Sequence, residues 1–353
     1  MCKVRNLKML ISMVLVGVFM IVGLNVYPVF AAETLRLSNP QQQDTPVGRL
    51  FDHFKAVVER ETKGELKIDV FSAGVLGSEI EATEQLFMNQ IDIACISTPN
   101  YSGKANTYLV LDLPYVFSSH DEWRYQMGGY KDKGGELLAE MREYAYRKEG
   151  VMLLAVQAPA TPKVIGNSKR FVKTPADTKG IKIRVSPSPI EAALVKNWGF
   201  IPVPVPWPET YSAMAQKVVD GAATGYLVGG QFGHFDILKY SLEPEAVQSA
   251  YVILVNGKKW ASLSPEFQQI LLRAAAEGSQ QCWGEIEQIN NEWREKALKK
   301  GVQAYVPTGD VMAQWYNLAM EVWPEYLPKM DQEVRGMVEK HKNLYQEYLK
   351  TKK

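Results

Sequence analysis

Strand-like and helix-like stretches alternate along this chain, once in its N-terminal third and again after residue 163. Residues 35–37, 66–71 and 91–96 have the apolar patterns of strands, and the stretches between them carry apolar residues at helical spacing. Strands separated by helices in this order pair in parallel through right-handed crossovers. The first alternation therefore predicts an α/β lobe.

The second alternation predicts a second α/β lobe. Its strands are expected at 163–165, 181–185, 201–205 and 222–226, with helices at 189–198 and 208–218. One more apolar strand is expected at 251–255. Two lobes joined by crossing segments leave a cleft, and ligands favour sites between domains.

One predicted helix is too long for a single small lobe. Ser264 is a typical N-cap with Pro265 at the first helical position, and no further proline occurs before Gly301. Such a helix is about 50 Å long, so we expect it to span both lobes. We assign residues 33–157 and about 248–288 to lobe I, and 158–247 and about 289–353 to lobe II.

The N-terminus is typical of a secretory signal peptide. Three basic residues precede an apolar run from Met9 to Gly23, and Ala31 and Ala32 close the segment. We expect residues 1–32 to be removed and the mature protein to be periplasmic. The alternative is a retained membrane anchor, because the apolar stretch up to Phe30 is nearly long enough to span a bilayer.

Composition disfavours nucleic-acid binding. Removal of Lys3, Arg5 and Lys8 reduces the 40 basic residues to 37 against 39 acidic ones, a net charge near −2. A nucleic-acid binder has clustered basic residues and a high pI. The remaining cysteines, Cys95 and Cys282, lie in stretches typical of buried free thiols, although a bridge between them stays open.

Arg184 is a candidate for binding an anion. Its apolar strand neighbours face the core by alternation, so Arg184 faces the opposite side of the sheet. A guanidinium can hold a carboxylate with two parallel hydrogen bonds. Trp207 and an acidic-glycine turn at 219–221 follow along the chain. The alternative is an arginine at a sheet end in contact with water.

Several motifs together resemble a known family. They are FSAGVLGSE at 71–79, EQL at 84–86, VLDLPYVF at 110–117, KTPADTKGIKIRV at 173–185, PVPW at 204–207 and VDG at 219–221. In this order they resemble the extracytoplasmic solute-binding proteins of tripartite ATP-independent periplasmic (TRAP) transporters, in the dicarboxylate-binding-protein (DctP) class. The resemblance covers residues 35 to about 275.

The resemblance implies a bilobal periplasmic-binding-protein-like α/β fold. Its two lobes close over a small organic acid and deliver it to the transporter's membrane subunits. By the same resemblance, Arg184 pairs with the ligand carboxylate, Trp207 lines the pocket and Glu79 lies near its mouth. The alternatives are ordinary lobe packing for Trp207 and, for Glu79, a charge at a helix N-terminus that the helix dipole stabilises.

Two positions depart from the family pattern. Family members carry an arginine in the strand before Asn167, and this chain has Lys163 there. The lysine keeps the positive charge but lacks the two parallel N–H donors of a guanidinium. The common Asp-Gly-Gln-Glu-Asn-Pro reads DGAATG at 220–225, which shortens a polar partner to the hydroxyl of Thr224. We expect a ligand less polar than a C4-dicarboxylate: an aromatic or branched monocarboxylate, or a sulfonate. The expected ligand-binding residues are Arg184, Trp207, Lys163, Glu79, Thr224 and Asn167.

Two other functions are considered. An exported hydrolase is disfavoured, because the nearest approach to a catalytic pair, His234 and Asp236, has no accompanying nucleophile motif. The same fold could instead present an organic acid to a membrane sensor for signalling. We expect no enzymatic activity, no metal or other cofactor, no nucleic-acid partner and a monomer.

Overall fold

The strands form two separate sheets. The computed structural model describes residues 32–101, 107–157, 162–248 and 250–351. In chain order the strands are β1 (Glu33–Ser38), β2 (Leu66–Phe71), β3 (Ile93–Ser97), β4 (Val151–Gln157), β5 (Val164–Asn167), β6 (Lys182–Val185), β7 (Ile201–Pro204), β8 (Gly221–Thr224), β9 (Tyr240–Leu242), β10 (Tyr251–Asn256) and β11 (Gln303–Tyr305). The first sheet has the order β2-β1-β3-β10-β4 and the second β11-β9-β5-β8-β6-β7. The strands that the sequence predicts are present to within two residues.

Both sheets are mixed. In the first, β1 and β3 pair in parallel, as the alternation predicts, and β10 runs antiparallel to β3 and β4. In the second, β6 pairs in parallel with β7 and β8, whereas β5 is antiparallel to β8. In chain order, β10 comes after strands β5–β9 of the second sheet, yet it pairs within the first sheet. The chain therefore crosses between the lobes after β4 and again before β10.

Helices pack against both sheets. They are α1 (Pro46–Glu61), α2 (Glu79–Phe87), α3 (Thr98–Tyr101), α4 (His120–Gln126), α5 (Glu136–Glu149), α6 (Pro189–Asn197), α7 (Thr210–Ala215), α8 (Tyr226–Gln231), α9 (His234–Ile237), α10 (Gly257–Ser262), α11 (Pro265–Lys299), α12 (Gly309–Met320), α13 (Val322–Tyr326) and α14 (Gln332–Thr351). The helix predicted at 208–218 is shorter than expected. A 3-10 turn at Trp207–Glu209 replaces its start, because prolines flank Trp207 and remove backbone donors.

The long helix α11 runs along both lobes. It has 35 residues and begins after the predicted N-cap Ser264, which makes it about 50 Å long. It packs on α1 and β4 of the first lobe and on α8 of the second. Arg294 of α11 also pairs with Glu243 at 3.0 Å. The prediction of a helix spanning both lobes is confirmed.

The C-terminal helix α14 contacts the first lobe. It packs on α5, and ion pairs join Lys340 to Glu140 at 2.5 Å and Arg147 to Glu333. The sequence places residues 289–353 in lobe II, whereas this helix packs on α5, whose charged face matches its own. The other lobe boundaries stay a prediction.

Three further expectations concern thiols, membrane and targeting. Cys95 and Cys282 are both buried and free. Within the described residues, no helix combines the length and apolarity needed to cross a bilayer. The predicted signal peptide lies outside the described residues, apart from Ala32.

Two glycines of α11 allow a matched test of helix packing. A Cβ at Gly284 would meet only a side-chain nitrogen of Arg124 at 3.9 Å, whereas at Gly278 it would lie 3.1 Å from Leu50 of α1. We expect Gly284→Ala to raise the free energy of unfolding by about 1 kcal/mol, the helix propensity difference. Gly278→Ala should gain less or lose stability, since Leu50 must move. Urea denaturation checks both, and an equal gain in the two variants would contradict the close packing of α1 on α11.

Candidate functional site

A cavity lies between the two sheets and is lined from both lobes. Its volume is about 60 Å³. The first lobe contributes Glu79, Ser97, Pro99, Asn100 and Tyr251, and the second contributes Lys163, Arg184, Ser186, Trp207, Ala223, Thr224, Gly225 and Val228. A solute bound here would contact both lobes at once.

Arg184 on β6 is buried, with one side of its guanidinium anchored. Its Nε donates to the backbone oxygen of Val205 at 2.9 Å. Its Nη2 is buried without a hydrogen-bond partner among the described residues. Burial lowers the pKa of Arg184, while Glu191 and Glu79 oppose that shift. The side chain is therefore held in place with a donor left over.

Trp207 supplies a second donor of the same kind. Its ring lies 5.4 Å from the guanidinium carbon of Arg184, and the rings of Phe232 and His234 pack against it at 5.3 and 4.8 Å. The indole Nε1 is buried and, within the described part of the chain, has no acceptor. Two unsatisfied donors thus belong to neighbouring residues of one cavity wall.

Glu79 brings a carboxyl group from the first lobe. It opens α2 after Ser78, which caps the helix. The Glu79 carboxylate accepts hydrogen bonds from the backbone N–H of Ser97 at 2.6 Å and from Asn100 at 2.7 Å. Burial raises the pKa of Glu79, although these donors and Arg184 partly oppose the shift. The residue is a fixed acceptor opposite the arginine.

Lys163 is paired with an acid that lies behind the cavity wall. Its Nζ is 2.8 Å from Oε1 of Glu191 on α6, and Oε2 of Glu191 accepts from the backbone N–H of Ser186 at 3.0 Å. Burial raises the pKa of Glu191, but Lys163 and Arg184 outweigh burial, and the net pKa lies below its usual value. Sequence reasoning missed Glu191, although an acid in the first turn of the helix after Arg184 was a usable signal.

Of the two remaining residues expected at the site, Thr224 lines the cavity and Asn167 does not. Thr224 at the end of β8 lines the cavity, as expected. Asn167 does not: it lies at the far end of β5 from Lys163, and its Oδ1 accepts from the backbone N–H groups of Lys169 and Arg170 at 2.9 and 3.0 Å. Asn167 is thus not among the residues that line the cavity, because its side chain is committed to the turn that follows β5.

Three polar residues that line the cavity from the first lobe came from no sequence signal. Ser97 is the last residue of β3, Asn100 lies in the short helix α3 that follows, and Tyr251 begins β10. The hydroxyl of Tyr251 accepts from Gln41 at 2.5 Å. Their approach depends on the insertion of β10 beside β3, which no local pattern indicates.

The family model described as bacterial extracellular solute-binding protein, family 7, matches residues 37–329 of the chain. The chain belongs to this family. The resemblance seen in the sequence is thereby confirmed, and with it the expectation that the protein binds a solute for transport.

Relatives of this solute-binding protein support the same fold. The 2,3-diketo-L-gulonate-binding periplasmic protein of Escherichia coli (strain K12) is 29% identical over 247 residues, 70% of this chain and 73% of the relative. A C4-dicarboxylate-binding protein of Bacillus subtilis (strain 168) is 25% identical over 317 residues, 87% and 86% of the two chains. A TRAP periplasmic solute-binding protein from Sulfitobacter sp. NAS-14.1, solved with beta-D-galacturonate, aligns with a TM-score of 0.80 at 24% identity, covering 88% of this chain and 100% of that one. The predicted bilobal fold is confirmed.

The turn held by Asn167 allows a test of the structural role of this residue in the solute-binding protein. Asn167→Ala leaves two backbone N–H groups without their acceptor, which costs about 1–3 kcal/mol. Asn167→Asp keeps an oxygen at the same place and should lose less. Urea denaturation measures both, and wild-type stability of Asn167→Ala would contradict the structural role.

A buried acid near Lys163 makes the stability of the protein depend on pH. Asp112 accepts from the hydroxyl of Thr98 at 2.5 Å, and its Oδ2 is buried without a partner among the described residues. Burial raises the pKa of Asp112 from 3.8 to about 8. The folded protein thus keeps a proton that the unfolded chain loses, so this contribution to stability is lost as pH rises from about 4 to about 8.

Asp112→Asn should remove that dependence, because the amide mimics the protonated acid and cannot ionise. Between pH 5 and pH 8, we expect the wild type to lose free energy of unfolding at up to about 1.4 kcal/mol per pH unit more than the variant. Urea denaturation at several pH values measures the two slopes. Equal slopes would show that Asp112 is ionised in the folded protein.

Proposed function

We propose that the cavity binds the carboxylate of a small organic acid, with Arg184 and Trp207 as donors. One observation supports this most: Arg184 Nη2 and Trp207 Nε1 are buried without an acceptor among the described residues. Each such donor costs about 1–3 kcal/mol, so two in one wall indicate an acceptor that the protein does not supply. A carboxylate offers two oxygens at the spacing that a guanidinium matches.

The rest of the ligand is a hydroxylated chain or ring, as in a sugar acid. Glu79, Asn100 and Tyr251 face the arginine from the first lobe, and these groups pair with hydroxyls better than with apolar carbon. Thr224 adds a hydroxyl on the side of Arg184. The relative from Escherichia coli is named for a keto sugar acid, and the Sulfitobacter protein holds a uronate. This replaces our expectation of an aromatic, branched or sulfonated ligand, which counted only the polar groups lost from the second lobe.

The protein carries this acid without changing it. Closure of the two lobes encloses the solute, and the closed protein delivers it to the membrane subunits of a TRAP-type transporter. Family membership supports binding rather than catalysis. By this proposal the mature protein works in the periplasm as a monomer after removal of its signal peptide.

A ligand panel and two arginine variants test the proposal. We expect D-galacturonate or D-gluconate at a hundred times its Kd to stabilise the protein by about 2.7 kcal/mol in thermal unfolding. Arg184→Ala should weaken binding by roughly a hundredfold or more, since a charged pair is lost. Arg184→Lys should also weaken binding, by about tenfold, because a lysine cannot make the two parallel hydrogen bonds of a guanidinium.

Arg170→Ala is the matched control. Arg170 lies in the same lobe, donates to the backbone oxygen of Asp177 and does not line the cavity. Calorimetry with circular dichroism checks affinity and fold together. Unchanged affinity of Arg184→Ala would refute the site, and stabilisation by benzoate or succinate alone would refute the ligand class.

A further inference from the structure

We infer that Glu191 sets the charge of the ligand that the cavity accepts. By pairing with Lys163 from behind the wall, Glu191 leaves Arg184 as the cation available to a carboxylate, so the site favours acids with one carboxylate over acids with two. The inference rests on the proposed function, and it assigns to Glu191 a positioning role that acts through Lys163.

The ion pair between Lys163 and Glu191 is short and largely buried. The side chains of Lys163 and Glu191 are only 17% and 5% exposed, and the two charged atoms are 2.8 Å apart. Exposed ion pairs contribute little, but removing one partner of a buried pair leaves an uncompensated charge and is strongly unfavourable. A ligand carboxylate that approached Lys163 would meet an ammonium whose charge Glu191 already balances.

The remaining groups give a second carboxylate no other partner. Arg184 and Lys163 are the lysine and arginine side chains among the described residues that line the cavity. The acid on the opposite wall, Glu79, would repel a second carboxylate when ionised. Asp112 does not compete with Glu191 for Lys163. Burial raises the pKa of Asp112 to about 8, so this acid is mostly uncharged at neutral pH. Among the described residues that line the cavity, Arg184 is therefore the cation that no ion pair holds.

Glu191 also has a structural role that the test must keep. Its backbone N–H is capped by Ser188, and its carboxylate accepts from Ser186. Glu191→Gln keeps an acceptor for Ser186 and removes the negative charge that attracts both Lys163 and Arg184. The variant therefore separates charge control from helix capping.

D-gluconate and D-glucarate are the matched probes, because they share a hydroxylated six-carbon chain and differ by one carboxylate. Calorimetry at pH 7.5 measures both with the wild type, Glu191→Gln, Lys163→Met and the double variant. We expect Glu191→Gln to shift the preference toward glucarate by about tenfold or more, since Lys163 becomes free to bind a second carboxylate. The double variant should lose that shift, because it has no free lysine.

Lys163→Met removes the other partner of the ion pair and gives an independent test of the inference. In Lys163→Met, Glu191 loses its lysine and Arg184 becomes its available cation, so gluconate binding should fall by about tenfold. Adding Glu191→Gln should restore it, which would not happen if Lys163 itself held the gluconate. This comparison decides the inference even if Glu191→Gln alone fails to fold.

The outcomes separate the two proposals. Failure of the wild type to bind gluconate counts against the ligand class. The charge inference is overturned if Glu191→Gln binds glucarate no better than the wild type, or if the double variant keeps the shift. Glu285→Gln removes an acid paired with Arg49 at 3.0 Å, away from the cavity, and should leave the preference unchanged. Circular dichroism of each variant confirms the fold.

Discussion

A buried arginine that keeps a donor free is the interaction on which the rest of this structure depends. Arg184 is 1% exposed, and its Nη2 has no partner among the described residues. A buried charged donor without an acceptor lowers the stability of the empty protein, and a ligand that supplies the acceptor recovers that free energy. Binding is thus favoured by a deficit built into the fold.

The position of this arginine couples the ligand to both lobes. Arg184 stands on β6 of the second lobe, while Glu79 and Tyr251 reach the same cavity from the first. The long helix α11 packs on both lobes and joins them. A solute that touches both walls stabilises the closed arrangement, because that arrangement satisfies both sets of polar groups. Binding and closure are therefore linked in free energy.

The polar groups of the cavity are controlled by residues that stand beside or behind it. Ser97 and Asn100 hold the Glu79 carboxylate, the Val205 oxygen holds Arg184, and Glu191 holds Lys163. Each of these contacts fixes a side chain and adjusts its charge or hydrogen-bonding capacity. Selectivity for the solute follows from these supports as much as from the side chains that face it.

Local sequence patterns were enough to predict the two α/β lobes, the strand positions to within two residues and the start of α11, and they indicated Arg184 as a candidate for binding an anion. Periodicity, capping and strand alternation are local properties, so they can be read without the fold. Four contacts became visible only in the folded chain: Asn167 holds a turn, Glu191 pairs with Lys163, Tyr251 reaches the cavity and α14 packs on the first lobe. Each depends on strand register or on contacts between distant segments, and no local pattern encodes which polar groups will meet when the chain packs.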